Sequence, residues 1–216
     1  MLGGVPPAPL VDVVVPTRDH AATLGGLLRD LPARAIRSVI VVDRGSSDRT
    51  VEIARDSGAV VLREPAGGYG AACLRAQAHL AALPRLPDVV VFIPGDRPAG
   101  AAAFPALLEP IAERSIELVL GVEHGQRDLR ERLVTRAIET VYRHRWSGVG
   151  PVRAMKYPAL IALGMSDRSS GWDVEMLVRA VKLGLSCDEV VLANDHKRAR
   201  VSSRALLHIL RHATMR

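Results

Sequence analysis

Apolar residues in the first 121 positions come in unbroken runs rather than in alternation. VDVVVP (11–16), SVIVVD (38–43), AVVLRE (59–64), DVVVFI (88–93) and IELVLG (116–121) are short and rich in β-branched side chains. Such runs predict strands covered on both faces. Between them, ATLGGLLRDL (22–31), SDRTVEIARDSG (47–58), GAACLRAQAHLAAL (70–83) and PALLEPIAERS (105–115) carry helical spacing. Ser47 or Asp48 is placed to cap the second helix and Gly58 to end it. Strand and helix alternating at this spacing predict right-handed crossovers, hence an α/β fold with a mainly parallel, doubly wound sheet and helices on both faces.

After Gly121 the rhythm breaks. Residues 122–146 predict a loop and a long basic helix, followed by the Gly/Pro-rich turn SGVGPVR (147–153) and a short segment to Met165. A helix over 172–184, a final strand over 186–193 and a basic tail complete the chain. No long linker, internal repeat or low-complexity tract divides it, so a single domain over 1–216 is expected.

Composition narrows the classes. The chain has 216 residues, 48% of them hydrophobic but only 3% aromatic, so the core is built from aliphatic side chains. Its two cysteines, Cys73 and Cys187, lie far apart, as expected of free thiols in a reducing compartment. No run approaches the ~20 apolar residues of a membrane span, and the first ten residues lack the pattern of a signal peptide. A cytoplasmic protein is expected. The net charge of +6 points to anionic company such as phosphate-bearing molecules or an anionic membrane surface. Basic residues are not interleaved with aromatics and there is no basic reading helix, which argues against nucleic acid.

Acids stand at three strand ends: Asp19 after the first strand, Asp43 closing the second, and Asp96 just past the fourth. In a parallel sheet these ends share one edge, where ligands sit. For Asp96 the residues leave two readings open, a metal or substrate ligand or a turn residue. For Asp43 the choice is between ligand contact and turn chemistry within DRGSSDRT. The glycines of AGGYGAACLRA (66–76) follow the third strand rather than the first, unlike a dinucleotide fingerprint. They predict a helix N-terminus, around Gly70, that phosphate or sugar can approach.

VVVPTRDHAATLGGLL, IRSVIVVDRGSSDRTVEIARDSGAVVLREPAGGYGAACLRA, DVVVFIPGD, GPVRAMKYPALIALGM and GWDVEMLVRAVKLGL together resemble family 2 glycosyltransferases of the GT-A fold. The branch most similar in appearance makes polyprenyl-phosphate (dolichyl-phosphate) mannose or glucose. The resemblance implies a UDP- or GDP-linked sugar donor, inversion at the anomeric carbon, and bound Mg²⁺ or Mn²⁺. It implies a nucleotide-sugar-binding half over about 11–121, an acceptor-side half over about 122–202 and a basic tail over about 203–216. Pro16, Thr17 and Asp19 match the loop around the nucleobase, where an Asn-Glu pair is usual and Asp19-His20 stands here. Asp43 matches the acid that touches base or ribose, and Gly45 and Asp48 the turn after it. Asp96 matches the last acid of the Asp-X-Asp signature that holds metal and diphosphate, whose first acid is replaced by Pro94. Arg97 is placed to supply positive charge beside it.

On the acceptor side, the resemblance makes Arg153 a phosphate or substrate contact and sets Trp172, Asp173 and Glu175 at a helix start lining the site. Asp173 is either a general base for a hydroxyl acceptor or a helix-terminal charge. Arg198, Arg200 and Ser202 correspond to a loop that closes over the donor diphosphate. The segment around Leu206, Leu207, Ile209 and Leu210 reads as a basic amphipathic helix, packed on its own domain or touching the inner membrane face near a polyprenyl phosphate. Two other functions compete with a transferase: a GT-A domain that has lost catalysis and binds a nucleotide or partner, and a sugar-phosphate nucleotidyltransferase. The latter wants a Gly-rich loop after the first strand, and VPTRDHAAT has none.

Overall fold

The apolar runs do become strands, and the order in which they pair sets up the candidate site. A computed structural model describes residues 8–123 and 129–192. Val11–Thr17 (β1), Ser38–Asp43 (β2), Val60–Arg63 (β3), Val89–Phe92 (β4), Leu118–Glu123 (β5), Val152–Lys156 (β6) and Cys187–Leu192 (β7) form one sheet, ordered β3-β2-β1-β4-β6-β5-β7. Helices Ala21–Asp30 (α1), Thr50–Asp56 (α2), Ala99–Ala102 (α4) and Phe104–Arg114 (α5) cover one face. Tyr69–Ala81 (α3), Leu129–Tyr142 (α6), Tyr157–Ala162 (α7) and Trp172–Lys182 (α8) cover the other.

The alternation of strand side chains divides the core in two. Val14, Ile40, Val42, Val90 and Phe92 pack against Cys73, Ala76 and Leu80 of α3 and Val174, Leu177 and Val178 of α8. Val13, Val15, Val41, Val89 and Val91 pack against Leu24 and Leu27 of α1 and Phe104 and Leu107 of α5. Each central strand is therefore buried on both sides, which is why it reads as a continuous apolar run.

Two expectations need correction. The third run, AVVLRE, becomes an edge strand: among the described strands β3 pairs with β2 alone, and Val60 is 38% exposed. The other is a strand missing from the expected, mainly parallel sheet. β6 falls in the segment read as a turn and a short connection, and it inserts between β4 and β5, antiparallel to both. Its registers set Arg153 opposite Phe92 on one side and Leu120 on the other. The remaining pairs, including β5 with β7, are parallel.

An arginine anchors the opposite end of the sheet. Asp12, fully buried at the start of β1, receives Nε and Nη2 of Arg37 in a two-pronged ion pair. No described helix is long and apolar enough to cross a membrane.

β6 reaches its slot only because the chain before it runs tight against β5. A Cβ built on Gly150 would lie 1.9 Å from the Gly121 carbonyl oxygen, a backbone atom with nowhere to retreat. Gly150→Ala is expected to cost roughly 1–3 kcal/mol by overpacking, measured by urea denaturation; an unchanged midpoint would contradict this account of the β5/β6 junction.

Candidate active site

The carboxyl ends of β1 and β2 are tied to each other by their own acids. Asp43 is fully buried, and its carboxylate accepts the backbone N–H of Gly45 at 3.2 Å and of Ser46 at 3.0 Å, with Arg63 Nε 3.8 Å away. The turn needs Gly45, whose φ is +82°. Asp19, itself at φ 52°, accepts the Ser47 N–H at 2.7 Å and the Ser47 hydroxyl at 3.1 Å. The Ser47 N–H holds the Asp19 carboxyl below its usual range. Asp48 accepts the Thr50 hydroxyl and N–H, which open α2, and the Ala21 N–H, which opens α1. The Thr50 hydroxyl is the main cause of its lowered pKa. These acids build the rim; the structure brings Thr17, Asp19, Asp43, Gly45 and Asp48 together there, beside Pro16.

Asp96 differs from them. The β4 strand runs on through Ile93 into Pro94 and Gly95, and a Cβ on Gly95 would meet Thr17 Oγ1 at 2.6 Å, so only glycine lets this turn close against β1. Gly95 is fixed there by its N–H to the Pro16 carbonyl at 3.0 Å and by the Thr23 hydroxyl on its own carbonyl at 2.7 Å. Asp96 follows, half-buried, with no hydrogen bond or ion pair among the described residues. Arg97 is 5% exposed, and its charge acts on the Asp173 carboxylate.

Arg153 of β6, in register with Phe92 of β4, is completely buried. Its Nη2 donates to Asp173 Oδ1 at 2.7 Å and to the Gly150 carbonyl at 2.5 Å, its Nη1 lies 3.3 Å from Met176 Sδ, and its guanidinium sits 5.8 Å from the Trp172 ring centroid. Burial pushes the Asp173 carboxyl up, while Arg153 and Arg97 pull against that rise. Asp173 remains partly open, with 17% of its side chain exposed.

Three expected site residues serve other ends. Trp172 is fully buried, with Tyr69 edge-on at 6.2 Å and Phe92 tilted at 5.1 Å, so it is part of the core beneath the site rather than its lining. Glu175, also fully buried, accepts the Ser166 and Asp167 N–H groups, the Ser166 hydroxyl and Arg179 at 2.9 Å. Burial raises its pKa, but those donors more than offset it and the carboxyl ends up below its usual value. Glu175 thus shapes the 166–171 loop that delivers Asp173.

Gly70 is the third. A Cβ there would lie 2.1 Å from the Asp167 carbonyl oxygen, and the Gly70 and Ala71 N–H groups already donate to the Ser169 and Arg168 carbonyls. The backbone that approaches the α3 N-terminus is the chain's own 167–169 loop, so that terminus is closed to phosphate or sugar. The glycine pattern signals close approach without saying what approaches.

Arg44 escaped the sequence reading. It directly follows Asp43, and its Nε is buried without a hydrogen-bond partner among the described residues. Tyr69 and Cys73, one turn apart on α3, lie under the same edge, and burial raises both pKa values well above their usual range. Arg198, Arg200, Ser202 and the whole tail lie outside the described residues. Among the described residues, no three His, Cys, Asp or Glu side chains form a group able to hold a metal by themselves.

Comparison with known proteins agrees with this geometry. Residues 12–146 match the model of glycosyl transferase family 2. An uncharacterized glycosyltransferase of Mycobacterium tuberculosis is 32% identical over 182 residues, which is 81% of this chain and 80% of its own. Glycosyltransferase AglJ of Haloferax volcanii is 24% identical over 191 residues, 84% of this chain and 61% of its own. Among solved structures, glucosyl-3-phosphoglycerate synthase from M. tuberculosis in complex with Mn²⁺, UDP-glucose and phosphoglyceric acid shares the fold. It gives a TM-score of 0.76 at 21% identity, over 96% of this chain and 81% of that one. The strand-end acids, the sheet order and the sequence match converge: this chain is a GT-A-fold glycosyltransferase and belongs to glycosyl transferase family 2.

Proposed function

We propose that the chain transfers a hexosyl group, with inversion, from a UDP- or GDP-linked sugar to a hydroxyl of a small acceptor that carries a phosphate group. The observation that carries this reading is the pairing of a partly open carboxylate, Asp173, raised by burial, with the buried Arg153, and the charge of Arg97, next to Asp96 in the chain, acting on the same carboxylate. The phosphoglyceric acid and UDP-glucose bound by the structural relative support the same substrate classes.

A hydroxyl nucleophile must lose a proton as it attacks, whereas a phosphate oxygen is already anionic and needs no base. Asp173, raised by burial, is suited to take that proton. The acceptor oxygen bonds to the anomeric carbon while the bond from that carbon to the donor's diphosphate oxygen breaks. The electron pair leaves with the nucleoside diphosphate, and the hydroxyl proton passes to Asp173. Arg153 and Arg97 place positive charge beside Asp173 that counters part of the rise caused by burial.

Among the described acids at this edge, Asp19, Asp43, Asp48 and Asp173 are engaged and Asp96 is not. That suits a divalent cation of the Mg²⁺ or Mn²⁺ type, which keeps several waters and needs only one or two carboxylates besides phosphate oxygens. When bound through Asp96, such an ion would neutralise charge on the departing diphosphate. Pro94 leaves Asp96 to do this without the first acid of the signature. Pro16, Thr17 and the Asp43 turn then border the nucleoside, and Asp19 and Asp48 keep that border rigid.

The assay is transfer from UDP-glucose and GDP-mannose to 3-phosphoglycerate, glycerol 3-phosphate or a polyprenyl phosphate in vesicles, with Mn²⁺ or EDTA. Transfer to a small phosphate ester, falling by roughly a hundredfold or more in Asp96→Asn, is the expected result; no transfer from any donor would overturn the proposal. Asp173→Asn is expected to lower kcat with a hydroxyl acceptor by roughly 10²- to 10⁴-fold. In the wild type the rate should rise with pH through the raised Asp173 pKa, and this acidic limb should vanish in the variant. An Asp173→Asn enzyme that transfers normally to polyprenyl phosphate would instead assign a phosphate nucleophile.

A further inference from the structure

Arg44 and Asp43 are neighbours in sequence that face opposite ways. Side chains alternate along β2: Val41 packs with the α1/α5 layer, while Ile40 and Val42 pack with the α3/α8 layer. Continued past the strand end, the alternation sends Arg44 toward the α3/α8 layer, and its charge acts on the Cys73 thiol there. Asp43 offers it no pairing, since that carboxylate is spent on the Gly45 and Ser46 N–H groups and lies beside Arg63.

The same face carries Pro16, whose register partner is Val42, and Pro94, two residues beyond Phe92. It also carries Arg153, which shares the register of Phe92 and whose Nε, like that of Arg44, is buried without a partner. At the carboxyl edge this face therefore presents two guanidinium groups and two prolines. Pro94 stands where the sequence resemblance places an acid. Arg153 is already paired with Asp173, whereas Arg44 is half-buried with its Nε shut off from water and, among the described residues, without an acceptor, which an anion at this edge would supply. The planar fork of donors on a guanidinium matches phosphoryl oxygens. The order β3-β2-β1-β4 reverses direction between β1 and β4, and that switch point is where open α/β sheets bind nucleotides. Arg44 ends the strand next to it.

We propose that Arg44 binds the phosphoryl oxygens of the donor's diphosphate, supplying positive charge on the face where Pro94 has removed a carboxylate. The assignment rests on the reading of the chain as a nucleoside-diphosphate-sugar transferase. Its consequence is that part of the donor affinity survives without a divalent cation, and that this part belongs to Arg44.

The test is calorimetric titration of the full chain with UDP, uridine and 3-phosphoglycerate, each in EDTA and in Mn²⁺, for the wild type, Arg44→Ala, Arg44→Gln and Arg44→Lys. Thermal melting followed by circular dichroism identifies any variant that fails to fold, and Arg44→Gln, close in length but uncharged, gives the same readout if the alanine variant does. In EDTA, removing the charge is expected to weaken UDP roughly ten- to a hundredfold. Uridine should change by less than about threefold, and Arg44→Lys should retain most of the UDP affinity. An equal loss for uridine and UDP, or no loss for either, would overturn the assignment. A loss confined to 3-phosphoglycerate would move Arg44 to the acceptor and overturn it as well. UDP binding that needs Mn²⁺ and ignores Arg44→Ala would sink this inference alone, whereas a wild type that binds no UDP under any condition would sink the donor reading beneath it.

Discussion

A guanidinium with no access to water must be paired, and the arginine of β6 shows how much of the structure answers to that demand. Arg153 is drawn fully inside by the pairing of β6 between β4 and β5. Left alone there it would be strongly destabilising. Asp173 supplies the compensating charge and the Gly150 carbonyl a further acceptor. Each partner has its own supports: Gly150 fits only because it lacks a side chain against Gly121, and Asp173 arrives on a helix whose approach loop is gripped by Glu175. The candidate base is thus held by an ion pair, and the ion pair by a strand insertion.

The other half of the edge is stiffened by a different device. Asp19 and Asp48 accept donors from each other's loops and Asp43 those of its own turn, so the turns after β1 and β2 and the starts of α1 and α2 form one hydrogen-bonded rim. Acids used this way are already satisfied and do not need a ligand to complete them. Asp96 stands outside that network. The contrast separates a carboxylate that makes the shape of a site from one left over for a ligand.

The central strands were legible because burial on both faces leaves only one kind of residue available, as in Val13 to Val15 or Val89 to Phe92. β3 has the same composition at the edge of the sheet, where one side of the ladder is empty, and composition does not report that. β6 was hidden because Val-Arg-Ala-Met-Lys carries two cations and reads as polar, and only the three-dimensional pairing with Asp173 makes Arg153 an interior residue. The glycines at the start of α3 announced a close approach correctly, but the approaching backbone comes from Asp167 to Ser169, about a hundred residues later. Trp172 and Glu175 were recognisable as belonging to the site region. Their burial places them under it and behind it, which no local pattern could disclose. Arg44 was overlooked because a basic residue in a turn is ordinary; its significance lies in the face it takes.

The central claim is that a donor's nucleoside diphosphate occupies the carboxyl edge between the β1/β2 rim and the Arg153–Asp173 pair. Hydrogen exchange of the full chain, measured by mass spectrometry with and without UDP and Mn²⁺, tests it most directly. The account predicts added protection concentrated in residues 16–20, 43–48 and 94–97, with little change at the opposite end of the sheet around Asp12 and Arg37. Protection confined to that opposite end, or none anywhere at saturating UDP, would contradict it.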